Sequence, residues 1–115
     1  MNNDIIKNDI NISDININDI NLNNIKQYEE IADLLKAIAH PARICIIRGL
    51  MNKGSCNVGY MQNCLNLPQS TVSQHLQKLK SLGIIKGERD GLQINYNICN
   101  ETIVNIINAI FPVES

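Results

Sequence analysis

The chain has 115 residues, 44% hydrophobic and 18% charged, the profile of one small soluble domain. Its apolar runs are too short for a membrane span, its acidic, polar start does not read as a signal peptide, and its four cysteines are too sparse for a secreted disulfide scaffold, so a cytoplasmic protein is expected. The formal charge of −1 conceals a gradient: residues 1–22 hold four aspartates against one lysine, while residues 23–99 hold nine Lys or Arg against five Asp or Glu. A basic middle permits nucleic-acid binding without requiring it.

Residues 1–23 are mostly Asn and Ile, with aspartates at positions 4, 9, 14 and 19. A five-residue period matches neither a helix nor a strand, and a low-complexity tail, disordered alone, is expected. The competing reading is a segment that orders on a partner or a second subunit. The folded domain is expected over 24–112. It opens with a helix whose Ile25, Tyr28, Ile31, Ala32, Leu35, Ile38 and Ala39 share one face. His40-Pro41 breaks it, and Pro41 starts the next helix at its first position. That second helix carries Ile44, Ile46, Ile47, Leu50 and Met51 and ends at Asn52-Lys53-Gly54. A short third helix over 58–65 leads through Asn66-Leu67-Pro68 into a fourth, and this tight connection makes a helix-turn-helix.

The fourth helix has an apolar rib at Val72, Leu76 and Leu79. Its other face shows Gln69, Ser70, Thr71, Ser73, Gln74, His75, Gln77, Lys78 and Lys80, with no acid among them. Gln69 and Gln74 can bond adenine edges in pairs, Ser70 and Ser73 can reach bases or phosphates, and the Thr71 methyl suits a thymine methyl. Lys78 would neutralise phosphate, which positions a protein without reading sequence. His75 is either a DNA contact or a partly buried packing residue. Gly83 stands where a left-handed C-cap is wanted. Two strands then flank Asp90-Gly91, read as a type I′ hairpin turn, with Arg89 beside it as a further phosphate contact. A last helix carries Ile103, Ile106, Ile107, Ile110 and Phe111 and stops at Pro112. Its apolar stripe exceeds what a domain of this size easily covers, which calls for a second copy; the competing reading is that it closes the monomer core. The fold expected is therefore mostly α with a small β-hairpin wing, a winged helix-turn-helix (α+β) whose terminal helices form a dimer interface.

The runs ADLLKAIAHPARICIIRGL, QSTVSQHLQKLKSLGII and GERDGLQINYNI together resemble the ArsR/SmtB family of small repressors, over about residues 26–111. The resemblance implies a homodimeric, sequence-specific transcriptional repressor that binds double-stranded DNA at a palindromic operator and lets go when an inducer binds. It places Gln69, Ser70, Thr71, Ser73, Gln74 and His75 on the recognition surface and Arg89 on the wing.

The family's metal sites do not carry over. Its Cys-x-Cys pair at the third helix matches Asn57 and Gly59, and its ligands near the last helix match Asn100, Thr102 and Val113, none of them good for zinc. No metal and no cofactor is therefore expected. The inducer candidates are Cys45, Cys56, Cys64 and Cys99, as a thiol-reactive or redox switch, or as a soft-metal or arsenite site shared with another subunit. Cys56 stands first, because Lys53 and a helix N-terminus would lower its pKa. Cys56 and Cys64 lie about two helical turns apart, too far for a disulfide within one regular helix. Each cysteine alone is as readily a small apolar residue.

Two other classes compete with this one. An enzyme needs a nucleophile with a base, paired acids or a phosphate-binding glycine loop, and none of these patterns occurs. A winged helix used only for protein–protein association is the closer rival. Such a helix would show an exposed apolar anchor where this one shows Gln, Ser, Thr and Lys.

Overall fold

The computed structural model describes residues 22–112. The low-complexity tail lies outside the described residues, except for its last two, which begin the first helix. The elements are α1 (Leu22–Ile38), α2 (Pro41–Lys53), β1 (Cys56–Asn57), α3 (Val58–Leu65), α4 (Gln69–Ser81), β2 (Ile85–Asp90), β3 (Gln93–Ile98) and α5 (Glu101–Ile110). Internal packing separates the chain after Asp33, so the first part of α1 is described by itself and the packed unit begins at Leu34. That first part exposes Ile25, Tyr28 and Ile31 along one face.

Helix α2 starts as its Pro41 dictates, since a proline at the first position gives up no needed amide. The His40 ring caps it: Nδ1 accepts from the Ala42 amide at 3.1 Å. Asn57 caps α3 through Oδ1, which accepts from the Tyr60 amide at 2.8 Å, and Asn100 caps α5 by accepting from Ile103 at 3.1 Å. All three caps satisfy amides that a helix start leaves free. Asn66 closes α3 in the left-handed conformation at φ 55°, which Asn tolerates better than most residues.

Gly83 ends α4 in a Schellman motif. Its φ is +72°, its amide donates to Lys80 O at 3.0 Å, and the Ile84 amide donates to Leu79 O at 3.0 Å. The motif turns Ile84 into the core, where it is fully buried.

The wing differs from expectation in two respects. Asp90 pairs with Gln93 as the last rung of the ladder, so the loop is Gly91-Leu92, one residue later than the Asp90-Gly91 turn expected. Only Gly91 has positive φ, +66°, and that suits type II′, which needs a glycine at its first central position, not type I′. The sheet also has a third strand: β1 pairs antiparallel with β3, Cys56 opposite Tyr96 and Asn57 opposite Asn95, in the order β1-β3-β2.

One core joins these elements. Ile47 from α2, Val72, Leu76 and Leu79 from α4, Ile84 and Ile85 at the start of the wing, and Ile103 and Ile107 from α5 are all essentially inaccessible. The rib foreseen on α4 is thus the wall of the core, and the polar face is left to solvent. Within the α5 stripe, Ile103 and Ile107 close this core, Ile106 and Phe111 pack against it, and Ile110 stays 60% exposed.

Candidate nucleic-acid interface

Helix α4 buries Val72, Leu76 and Leu79, so the helical period turns Gln69, Ser70, Ser73, Gln74, Gln77 and Lys78 outward, and all six are exposed. Ser70, Ser73, Gln74 and Gln77 follow one another at i, i+3, i+4 and i+7, a single row of donors and acceptors. Gln77 belongs to that row although the base-reading set drawn from sequence stops short of it; its place seven residues after Ser70 was the available signal. Thr71 is half-buried at the edge of the row. Pro68 begins α4 without a side-chain cap. Arg89 is exposed on β2, one rung from the wing tip, opposite Ile94.

His75 is half-buried and engaged inside the protein. Its Nδ1 accepts from Arg43 Nε at 3.3 Å, and its ring lies 4.6 Å from that of His40. Arg43 also donates through Nη1 to Ala37 O at 2.8 Å, so one guanidinium ties the α1–α2 junction to the recognition helix. Of the two roles open to His75, packing is the one that these partners supply. Burial, then the neighbouring His40 and Arg43, hold its pKa below the usual 6.5. The unfolded chain therefore takes up this proton before the native one does. The stabilisation is complete above about pH 6.5 and is lost as pH falls through that value toward the lower native pKa. Urea midpoints measured at about pH 7.5 and pH 5 should fall toward acid in the native sequence, and by less in His75→Gln.

The four cysteines are all free thiols. Cys45 on α2, Cys56 on β1 and Cys64 on α3 line a single apolar pocket of about 110 Å³, together with Ile46, Gly49, Leu50, Tyr60, Met61 and Leu65. Cys99 stands apart and donates weakly to Gly83 O at 3.5 Å. The expected activation of Cys56 is reversed by its surroundings. The side chain is buried, and burial pushes its thiol pKa up, against the pull of Lys53 and with a further push from Cys64. Lys53 is instead seated over the Tyr60 ring, 4.7 Å from its centre. Cys45 and Cys64 are the exposed members of the pocket.

Asn57 and Asn100, which stand where family metal ligands would be, are the helix caps of α3 and α5. Among the described residues no cluster of three or more His, Cys, Asp or Glu side chains is placed to hold a metal ion. No helix among the described residues is long and apolar enough to cross a membrane.

This arrangement agrees with what the chain resembles elsewhere. The family model described as "Bacterial regulatory protein, arsR family" matches residues 40–86, which run from the His40 cap through the helix-turn-helix into the wing. The transcriptional repressor PagR of Bacillus anthracis is 42% identical over 86 residues, spanning 75% of this chain and 86% of that one. The PagR crystal structure superposes with a TM-score of 0.68, covering 75% of this chain and 98% of that one at 41% identity. NolR from Sinorhizobium fredii gives 0.73 at 31% identity, covering 79% and 90% of the two chains. The homodimeric winged helix-turn-helix domain Mb0332 from Mycobacterium bovis, at 24% identity, shares the fold with a TM-score of 0.71 over 79% of this chain and 83% of its own. The chain therefore belongs to the ArsR family of bacterial regulatory proteins, DNA-binding transcriptional repressors rather than enzymes, and carries its winged helix-turn-helix fold.

Proposed function

We propose that this protein is a cytoplasmic homodimeric repressor that reads a palindromic operator with α4 and is released by a signal acting on its cysteines. The observation that carries the DNA reading is the α4 surface: an unbroken polar row, free of acids, on a helix whose opposite face is locked in the core. Gln69, Ser70, Thr71, Ser73, Gln74 and Gln77 are assigned to base edges and nearby sugars and phosphates, Lys78 and Arg89 to phosphates. The uncapped first turn of α4 leaves its amides available to a phosphate as well. His75 acts from behind, holding the helix through Arg43.

Dimerisation rests on apolar side chains left in water. Ile25, Tyr28 and Ile31 are exposed along the first part of α1, and within the packed unit Leu35 and Ile110 are exposed as well. A second copy is the natural cover for such faces, and the Mb0332 domain, of the same fold, is homodimeric. Two recognition helices about one DNA turn apart would then read the two halves of a palindrome. The domain so assigned runs over residues 24–112, with the Asn/Ile segment before it as a tail.

The test is binding to DNA just upstream of the protein's own coding region against random DNA, over a range of salt. A specific complex should show a clear preference, with affinity falling steeply as salt rises and phosphate counterions are no longer released to advantage. Gln74→Ala should relax base preference by about 1–3 kcal/mol while leaving folding intact. Lys78→Ala should weaken every sequence alike and flatten the salt slope. Equal affinity for all sequences in the native protein would end the repressor reading.

A further inference from the structure

The thiol pocket sits at a mechanical junction. Cys56 is on β1, which is hydrogen-bonded to the wing strand β3 opposite Tyr96. Cys64 is on α3, the first helix of the helix-turn-helix, and Cys45 is on α2, which supplies the core beneath both. Anything lodged among these three sulfurs presses on α2 and α3 and on the strand that joins them to the wing.

The pocket's chemistry selects its occupant. Apart from the thiols and the Tyr60 phenol, its walls are Ile46, Gly49, Leu50, Met61 and Leu65, with no charged side chain. The three thiols line the walls without converging into a metal ligand set. An apolar cavity of roughly 150 Å³ accommodates a benzene ring, so a pocket of about 110 Å³ open on one side suits part of one small ring or enone. Cys64 is the accessible sulfur with a polar neighbour. Tyr60 stands one turn before it on α3 and lines the same pocket, and Cys64 is the main reason that the phenol holds its proton more tightly than usual. Tyr60 is thus kept as a donor beside the sulfur.

We propose that Cys45, Cys56, Tyr60 and Cys64 form an intrasubunit capture site for a small uncharged electrophile of the quinone or enone class, bonded at Cys64. The step balances without any other reagent. The Cys64 sulfur adds to the conjugated carbon, an S–C bond forms, and the C=C π bond breaks. The electrons shift through to the carbonyl oxygen, which takes the thiol proton. In a quinone the hydrogen on the sulfur-bearing carbon then moves to the other carbonyl oxygen to give the hydroquinone thioether. In an enone the enol proton moves to carbon to give the saturated ketone. Buried Cys56 and the apolar wall hold the ring, and the added volume separates α3 from α2. The inference rests on the repressor reading for its output, the release of DNA, but not for the capture itself.

The experiment uses the full chain and p-benzoquinone at low stoichiometry, with intact mass and peptide mapping for the site and fluorescence anisotropy for DNA. Labelling should saturate at one adduct on Cys64, and the adduct should bind upstream DNA at least tenfold more weakly. Cys64→Ser should remain bound to DNA in the presence of quinone. Gly49→Leu fills the pocket from a position where an added Cβ meets nothing within 4 Å. It should slow quinone labelling at least tenfold while leaving reaction of Cys64 with a small charged thiosulfonate unchanged. Labelling spread evenly over Cys45, Cys64 and Cys99, or indifferent to Gly49→Leu, would show a merely exposed thiol and overturn the proposal. Unaltered DNA affinity in fully labelled protein would overturn it too, as would release by zinc or arsenite with quinone inert. Failure of the repressor reading is seen separately, as unlabelled protein with no preference for its own upstream DNA.

Discussion

Leu76→Ala should lower the free energy of unfolding by about 2–5 kcal/mol. The side chain is only 2% exposed and lies between Val72 and Leu79, both fully buried, on the helix assigned to read DNA. Truncation removes its transfer free energy and leaves a cavity in the close-packed core that it shares with residues of α2, the wing and α5. A small domain commonly has about 5–15 kcal/mol in total, so one substitution removes a large fraction. Urea midpoints at fixed protein concentration are the measurement, fixed because self-association would add its own stabilisation. The informative comparison is with Gln74→Ala, two residues away on the outer face, which should move the midpoint little and change the DNA preference instead. A Leu76→Ala loss below about 1 kcal/mol would mean that α4 is not anchored through this rib.

Arg43→Ala should cost about 2–3 kcal/mol, because it removes both bonds from one charged donor and leaves Ala37 O and His75 Nδ1 without their partner. Arg43→Lys should recover little of it. A single ammonium cannot present two directed N–H groups to acceptors on different helices as the guanidinium fork does. The imidazole provides a second readout by NMR titration. Removing the guanidinium takes away the least of the three influences that depress His75, so its pKa should rise but remain below the usual 6.5, since burial and His40 persist. A His75 titration unchanged in Arg43→Ala would show that the 3.3 Å bond does not operate in solution.

The parts of this protein that were legible in its sequence are those governed by local periodicity. The Val72, Leu76 and Leu79 spacing announced α4 and its buried face, and Gly83 announced where that helix ends. His40-Pro41 marked the α1–α2 break, yet the same pair concealed that the His40 ring is the cap, since histidine is not a usual N-cap. Strand β1 was not legible. Two residues carry no alternation to detect, and its partner β3 lies far along the chain. The turn was displaced by one residue because Asp90-Gly91 satisfies a local rule that the register of the ladder overrides. The thiols show the same limit in the site itself. Spacing along the chain put Cys45 on the second helix and Cys56 and Cys64 at the two ends of the third, and only the packing of α2 against α3 and β1 brings all three to one pocket. Lys53 lies close to Cys56 in sequence and suggested an activated thiolate, but sequence does not reveal that the sulfur is buried.

The strand order β1-β3-β2 leaves β2 as an outer strand, with one row of backbone groups unpaired by its own sheet. An open edge of this kind can recruit strands from other molecules and start aggregation. Here it is guarded by its own sequence: Lys86, Glu88, Arg89 and Asp90 put charges of both signs along six residues, all four of them exposed. A foreign strand laid against this edge would have to desolvate those charges or match their order. Leu92, fully exposed at the hairpin tip, lies beyond the last rung and offers no strand register of its own. The wing can therefore stand out from the domain as a thin ribbon without becoming a template for growth. The charged edge of β2 is thus a solubility device built into the wing.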